Sequence, residues 1–271
     1  MVWKNLVASI VLFFVSTAAS PHTREQRIDQ LVGKLYQRYD ASWINTIFYE
    51  QRLCEGMEKP IPQLPGKWSE LRERVLDNGV FGSVLRGSVF YTTHRETLEA
   101  ASEKYGGGPR MPFIITAILR IETDFGVYDH GTPVIRTLFD RYARVVDGPS
   151  GDRTRMAVFT ERIQPFLDAA FQNEWDVCQV RGSRAGAFGL PQFIPASLYL
   201  TRDGDSDGKV DIVGSVPDAI YSVASHLTER GWRRSVHSGV FNYNRHQAYV
   251  AIVLAYAAKI ESIAAQNTPQ S

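Results

Sequence analysis

Apolar residues recur every three or four positions through much of the chain, the spacing of helices that bury one face. Ile28, Leu31, Val32, Leu35 and Tyr39 carry this period and predict helix over 24–58. The run Pro60-Ile61-Pro62-Gln63-Leu64-Pro65-Gly66 predicts a loop. Helical spacing resumes near Trp68 and continues in patches to about Tyr105, where Gly106-Gly107-Gly108-Pro109 interrupts it. From Met111 to Phe125 a helix is predicted with Pro112 in its first turn, one apolar stripe of Ile114, Ala117, Ile118 and Ile121, and Gly126 as its C-terminal cap. Further helices are expected over 154–178 (apolar at Phe159, Ile163, Phe166, Leu167 and Ala170), 195–200, 216–230 and 247–264, with a glycine-rich turn over 182–189. Sustained alternation of apolar and polar residues is rare, so the fold class is mainly α. The break at 106–109 divides the chain into an N-terminal helical part, 21–109, and a second part, 110–271.

The first twenty positions follow a different pattern. Lys4 supplies a positive start, Leu6 to Val15 is almost wholly apolar, and Ser16, Thr17, Ala18, Ala19 and Ser20 are small. This is the layout of a secretory signal peptide cleaved after Ala19 or Ser20, with a membrane anchor as the alternative. The expected location is therefore the periplasm or beyond. The stretch Ala248 to Ile260 is apolar but reads as too short to cross a bilayer. Of 271 residues, 44% are hydrophobic and 22% charged, with a formal net charge of +1. That balance fits a globular chain and gives no field to draw in nucleic acid. In an oxidising compartment the two cysteines, Cys54 and Cys178, either pair or stay as small buried residues.

Three segments carry candidate chemistry. Glu122 lies in the mostly apolar Ile118-Leu119-Arg120-Ile121-Glu122-Thr123. A carboxyl held against apolar neighbours ionises reluctantly, and one protonated near neutral pH can donate to a leaving oxygen. The alternative is a helix-end glutamate paired with Arg120. Gly182-Ser183-Arg184-Ala185-Gly186-Ala187-Phe188-Gly189-Leu190-Pro191-Gln192-Phe193-Ile194-Pro195 mixes small residues with an amide and two aromatic platforms. Sugar rings, with polar edges and apolar faces, suit such a mixture, and so does a plain helix-packing turn. Asp203-Gly204-Asp205-Ser206-Asp207-Gly208-Lys209-Val210-Asp211 places carboxylates at positions 1, 3, 5 and 9 of an EF-hand-like calcium loop, with glycine at 6. Position 12 is Gly214, so the last ligand comes from elsewhere, with Asp218 the candidate. Phe241-Asn242-Tyr243-Asn244, followed by Tyr249, either caps a helix or closes a cleft.

In this order the pieces resemble the catalytic core of the membrane-bound lytic murein transglycosylase B family. The family's Glu-Thr-x-x-Gly run is matched by Glu122 to Gly126. Its Gly-Ser-x-Ala-Gly-Ala-x-Gly-x-x-Gln-Phe-x-Pro-x-Ser signature is matched by Gly182 to Ser197. Pro217-Asp218-Ala219-Ile220, Gly231-Trp232 and Tyr243-Asn244 complete the match over about 110–260. The resemblance implies a lysozyme-like, mainly helical core with additional helices and a calcium loop. It implies cleavage of the β-1,4 bond between N-acetylmuramic acid and N-acetylglucosamine in a peptidoglycan glycan strand, leaving 1,6-anhydro ends, with Glu122 as acid and then base. It further implies that Ser183, Gln192, Phe193, Tyr243, Asn244 and Tyr249 line the glycan cleft. Calcium would be held by Asp203, Asp205, Asp207, the Lys209 carbonyl and Asp218. Where the family often has Tyr-Gly before the Gln-Phe pair, this chain has Leu190-Pro191. Two other functions compete with this expectation. One is a muramidase with Asp124, Asp129 or Asp140 activating water; the other is a calcium-dependent glycan-binding protein without activity. Other cell-wall enzymes are possible partners, and a monomer is expected.

Overall fold

A computed structural model describes residues 23–59, 68–77, 82–127, 131–147 and 152–267. The expected leader at 1–20, the loop at 60–66 and Asp129 lie outside the described residues. Helix α1 (Arg24–Leu35) starts at Thr23, whose hydroxyl accepts from the Gln26 amide while the Gln26 side chain accepts from the Thr23 amide. This reciprocal cap satisfies two amides that a helix start would leave open. The single helix expected over 24–58 is divided in the structure. Asp40 takes the amides of Ser42 and Trp43 on its carboxylate at 2.8 and 3.1 Å and begins α2 (Ala41–Asn45), which runs on as a π-turn through Glu50.

Next come α3 (Trp68–Val75), α4 (Ser83–Thr93), α5 (Arg95–Lys104) and α6 (Met111–Thr123). The sequence predicts one apolar stripe on α6, but every residue from Met111 to Arg120 is buried. The reason is its position: α4, α5, α10 (Val216–Leu227) and α12 (Gln247–Gln266) pack around it and cover every side of those ten residues. Two-residue strands β1 (Thr132–Pro133) and β2 (Arg181–Gly182) pair antiparallel around α7 (Val134–Asp147), α8 (Asp152–Val158) and α9 (Gln164–Gln172). The helix expected to reach 178 ends at Gln172. The Asn173 amide side chain donates to the Ala169 and Val210 carbonyls, both at 2.9 Å, and Glu174 follows with φ 55°.

A 3₁₀ turn (Pro195–Leu200), α10 (Val216–Leu227), α11 (Val236–Tyr243) and α12 (Gln247–Gln266) complete the chain. Between α10 and α11 a π-turn through Trp232 breaks at Gly231, whose φ of 121° suits glycine. Helix α12 is longer than the apolar stretch visible in sequence, and by length and composition it is long and apolar enough to cross a membrane. Its Tyr249, Val250, Ile252, Val253, Tyr256, Ala257 and Ile260 are nonetheless buried against the other helices, the behaviour of a core helix.

Two hydrophobic cores result, and the chain visits them alternately. One joins α1, α2, α7 and α9 to the segment 177–212; the other joins α3–α6 to α10–α12. The disulfide between Cys54 and Cys178 closes the first core across 124 residues of sequence. Phe188 and Phe193 belong to the first core, Leu190 to the second, and Tyr243 packs against both. The glycine-rich segment is therefore the seam between the cores.

Candidate active site

Glu122 is the penultimate residue of α6, at the point where that buried helix reaches the seam. Helix α6 ends at Thr123, earlier than the Gly126 cap expected from sequence. Asp124 and Phe125 take left-handed backbone (φ 51° and 59°) before Gly126 at φ 90°. Left-handed backbone costs a non-glycine residue about a kcal/mol or more, and ion pairs at Asp124 offset it. Arg86 from α4 lies 2.8 Å from one Asp124 oxygen and Arg120 Nε 3.1 Å from the other. Asp124 and Arg120 are 2% and 5% exposed. The arginine offered by sequence as a partner for Glu122 is thus spent on Asp124.

What meets Glu122 instead is a tyrosine. The Tyr249 hydroxyl, from the first turn of α12, donates to Glu122 Oε1 at 2.8 Å. Tyr249 is 1% exposed, and burial together with the nearby Glu122 charge holds its own pKa well above 10, so it remains a donor. Glu122 itself is partly open to solvent, but protein crowds its carboxyl. This burial raises its pKa from 4.5 to about 7, against the opposing donation from Tyr249. The rise corresponds to roughly 3 kcal/mol against the charged form.

The adjacent Thr123 hydroxyl donates to the Leu190 carbonyl at 2.9 Å and joins the end of α6 to the glycine-rich segment. Tyr243 donates to the Pro191 carbonyl at 2.5 Å, and its own pKa is raised by burial and by the charge on Glu122. Leu190 and Pro191, the two residues that depart from the family's usual pair, therefore anchor this segment through their carbonyls. Gln192 follows at φ 51°, its side chain folded back to donate to the Gly189 carbonyl at 3.0 Å. The backbone of Gly189 (φ 73°) approaches so closely that a Cβ there would sit 2.6 Å from the Ile212 carbonyl oxygen.

Sequence reasoning offers Phe188 and Phe193 as platforms for sugar rings. The structure buries both, Phe193 to 3% exposure, because their backbones pair with each other and turn both rings into the first core. Phe193 packs beneath this segment, its ring 5.9 Å from Tyr243 and 5.3 Å from His226. Ser183 is partly exposed, and its hydroxyl oxygen accepts the Ala185 and Ala187 amides at 3.2 and 3.1 Å, which fixes the turn. Asn244 caps α11, its amide donating to the Val240 carbonyl and its backbone leading to α12. Glu122, Tyr249, Tyr243 and the 189–193 backbone are thus brought together, while Ser183 and Asn244 join through main chain.

Sequence reasoning missed the Asp124 ion pairs, since Arg86 lies on another helix. It also missed His226, a ring 4.7 Å from Tyr243 whose pKa burial lowers to about 4. Asp140, another sequence candidate for a second acid, is exposed on α7.

In the acidic loop, carboxylate oxygens of Asp203, Asp205 and Asp218 lie within 4.8 Å of one another. Asp218, at the start of α10, is 1% exposed and accepts the Gly204 and Asp211 amides at 2.7 and 2.5 Å. Burial raises its pKa, the two amides oppose the rise, and the charges of Asp205 and Asp203 add to it. Asp207 accepts the Lys209 amide at 2.7 Å, and Lys209 Nζ lies 3.9 Å from Glu174; neither residue is in the convergent trio.

Residues 15–264 match the family model described as Transglycosylase SLT domain. Over 226 residues the chain is 31% identical to membrane-bound lytic murein transglycosylase B of Escherichia coli (strain K12), covering 77% of this chain and 57% of that protein. The chain thus spans little more than half the length of that curated relative. Among solved structures, the Escherichia coli lytic transglycosylase Slt35 in complex with calcium superposes with a TM-score of 0.67 at 19% identity, over 89% of this chain and 94% of that one. SltB3 from Pseudomonas aeruginosa, in complex with NAG-anhNAM-pentapeptide, gives a TM-score of 0.67 at 18% identity, over 88% and 79%. These likenesses establish a shared helical fold. With its Glu-Thr run and glycine-rich signature set against each other at the seam of that fold, the chain belongs to the transglycosylase SLT domain family.

Proposed function

We propose that this protein is a lytic transglycosylase that cleaves the β-1,4 bond from N-acetylmuramic acid to N-acetylglucosamine in peptidoglycan. The observation that carries the reading is the Glu122 carboxyl, raised to about 7 by burial and touched by Tyr249 rather than by a cation. In its acid form Glu122 protonates the departing glycosidic oxygen. The resulting carboxylate takes the proton of the muramoyl 6-hydroxyl as that oxygen bonds to C1. The C1–O bond to the leaving sugar breaks, a 1,6-anhydro ring closes, and Glu122 ends as it began. The substrate's own acetamido group stabilises the charge that develops at C1.

Hydrolysis would call on a second carboxylate to activate water. Asp124, the sequence neighbour best placed for that, is held by two arginines and 2% exposed, which favours one acid acting alone. Supporting evidence also comes from relatives: the curated one is a lytic murein transglycosylase by name, and SltB3 is in complex with an anhydro-sugar peptide. Tyr243, Gln192, Ser183 and Asn244 are assigned to the glycan groove, with Tyr249 and Phe193 beneath it.

Calcium fits the acidic loop. Three carboxylates converge within 4.8 Å, a hard oxygen donor set that suits this ion. Asp203, Asp205 and Asp218 would hold it, with Asp207 and the Lys209 carbonyl completing the shell, and it would brace the loop against α10. Export through the apolar leader places the enzyme with its substrate in the periplasm.

The test is digestion of purified peptidoglycan followed by product masses, with Glu122→Gln beside the wild type. Anhydro ends from the wild type and none from the variant are expected. Reducing ends free of anhydro sugar would instead indicate a muramidase. Equal, slow clearing by both proteins would favour a glycan-binding role.

A further inference from the structure

Many arginines of this molecule are spent on carboxylates: Arg38 on Asp168, Arg95 on Glu99, Arg136 on Glu58, and Arg86 and Arg120 on Asp124. The arginines beside Tyr199 are used differently. Arg202 donates to the Tyr199 and Thr201 carbonyls at 3.0 and 2.7 Å. The Arg230 guanidinium donates to the Tyr199 hydroxyl and lies over its ring, 5.8 Å from the centroid. Neither arginine is ion-paired with a carboxylate among the described residues. A guanidinium over a tyrosine face is held there by the ring's electrons. It also carries more N–H donors than this one contact uses. Tyr199 is 64% exposed, and Arg230 is exposed beside it.

The pair borders the candidate active site. Arg230 stands one helical turn beyond His226, whose ring lies 4.7 Å from Tyr243; burial lowers the His226 pKa, and the Arg230 charge adds to the lowering. The Arg230 carbonyl accepts from Asn242 Nδ2 at 2.5 Å, and Asn242 immediately precedes Tyr243. Tyr199 stands in the 3₁₀ turn that follows the glycine-rich segment. Phe188 and Phe193 are turned into the core, whereas Tyr199 offers an aromatic ring to solvent.

We propose that Tyr199, Arg202 and Arg230 form an outer subsite for the peptide-bearing part of the glycan strand: the exposed Tyr199 ring takes the apolar face of a sugar, and Arg230 takes a carboxylate of the attached peptide. Arginine charge without a counter-charge in the protein is matched by an anionic ligand, and a guanidinium fork fits the plane of a carboxylate. A peptide ends in a carboxylate, and SltB3 is in complex with an anhydro sugar that carries a pentapeptide. Arg202, bound to the main chain on either side of Leu200, fixes the turn that presents Tyr199 and adds a second positive charge. The inference rests on the reading of the protein as a lytic transglycosylase and names the part of the substrate that the reading leaves open.

The experiment measures kcat and KM of the full chain on peptidoglycan strands with native peptides and on the same strands with the peptide carboxyls converted to amides. Wild type, Arg230→Gln and Tyr199→Ala are compared, with Glu122→Gln as control. Arg230→Gln is expected to raise KM on native strands by about fivefold, the worth of one exposed ion pair, with kcat kept. On amidated strands the wild-type KM should already be raised, and Arg230→Gln should change it little. Tyr199→Ala should raise KM on both, since the ring is lost whatever the peptide's charge. A KM shift of equal size on both strands in Arg230→Gln, or none on either, would overturn the inference. Should the variant fail to fold, the wild type decides: equal KM for native and amidated strands would overturn it too. Cleavage of neither strand by the wild type, or a fully active Glu122→Gln, would instead overturn the reading on which it rests.

Discussion

Two carboxylate sites in this molecule are built in opposite ways. At the end of α6 one carboxyl is enclosed by protein and accepts from the Tyr249 hydroxyl, with no cation on it among the described residues. Where the loop at 203–211 meets the first turn of α10, three aspartates crowd within 4.8 Å, and backbone amides donate to each of them. Burial with a single donor favours the protonated form, whereas carboxylates crowded together repel one another, a repulsion that a bound cation would relieve. On the proposed function, the same functional group serves as a proton source in one place and as a cation ligand in the other. The surroundings assign the roles, as they do for paired acids in enzymes generally.

The largest effect that separates the two sites is expected at Glu122. Glutamine there should lower turnover by roughly 10²–10⁴-fold, the usual worth of a general acid, with little change in folding. Asparagine at Asp203 and Asp218 together should do the reverse. Calcium is expected to stabilise the wild type by about 2.7 kcal/mol at a hundred times its dissociation constant, read as a rise in Tm. The double variant should lose that rise while keeping the position of the alkaline limb of kcat/KM against pH, which reports loss of the acid's proton. A wild-type Tm indifferent to calcium would remove the cation from the comparison. A smaller effect belongs to Tyr249→Phe. The Tyr249 hydroxyl favours the Glu122 carboxylate, so its loss should raise the Glu122 pKa and move the alkaline limb up by a few tenths of a pH unit to about one.

How much of this was legible in sequence depended on how local each feature is. Glu122 on an apolar helix, the glycine-rich turn and the aspartate loop are contiguous runs, and each is visible in place. Asp218 was reachable as well, because position 12 of the loop lacks a carboxylate and α10 follows closely. The burial of α6 on every side was not legible, since a stripe of apolar residues does not reveal helices that also cover Thr116 and Arg120. Pairing Arg120 with Asp124 rather than Glu122 required the left-handed turn after Thr123 and the arrival of Arg86 from α4. Phe188 and Phe193 looked like surface platforms because the short backbone pairing that turns them inward leaves no pattern in composition. The Cys54–Cys178 pair spans 124 residues, and no local signal joins its ends.

The account stands on the protonation of Glu122, and carboxyl ¹³C chemical shifts followed across pH, assigned by comparison with Glu122→Gln, measure it directly. A midpoint near 7 is expected from the burial of that carboxyl. A midpoint near 4.5, the ordinary value for a glutamate, would contradict the account, because the group would already have lost its proton at the pH where it is needed.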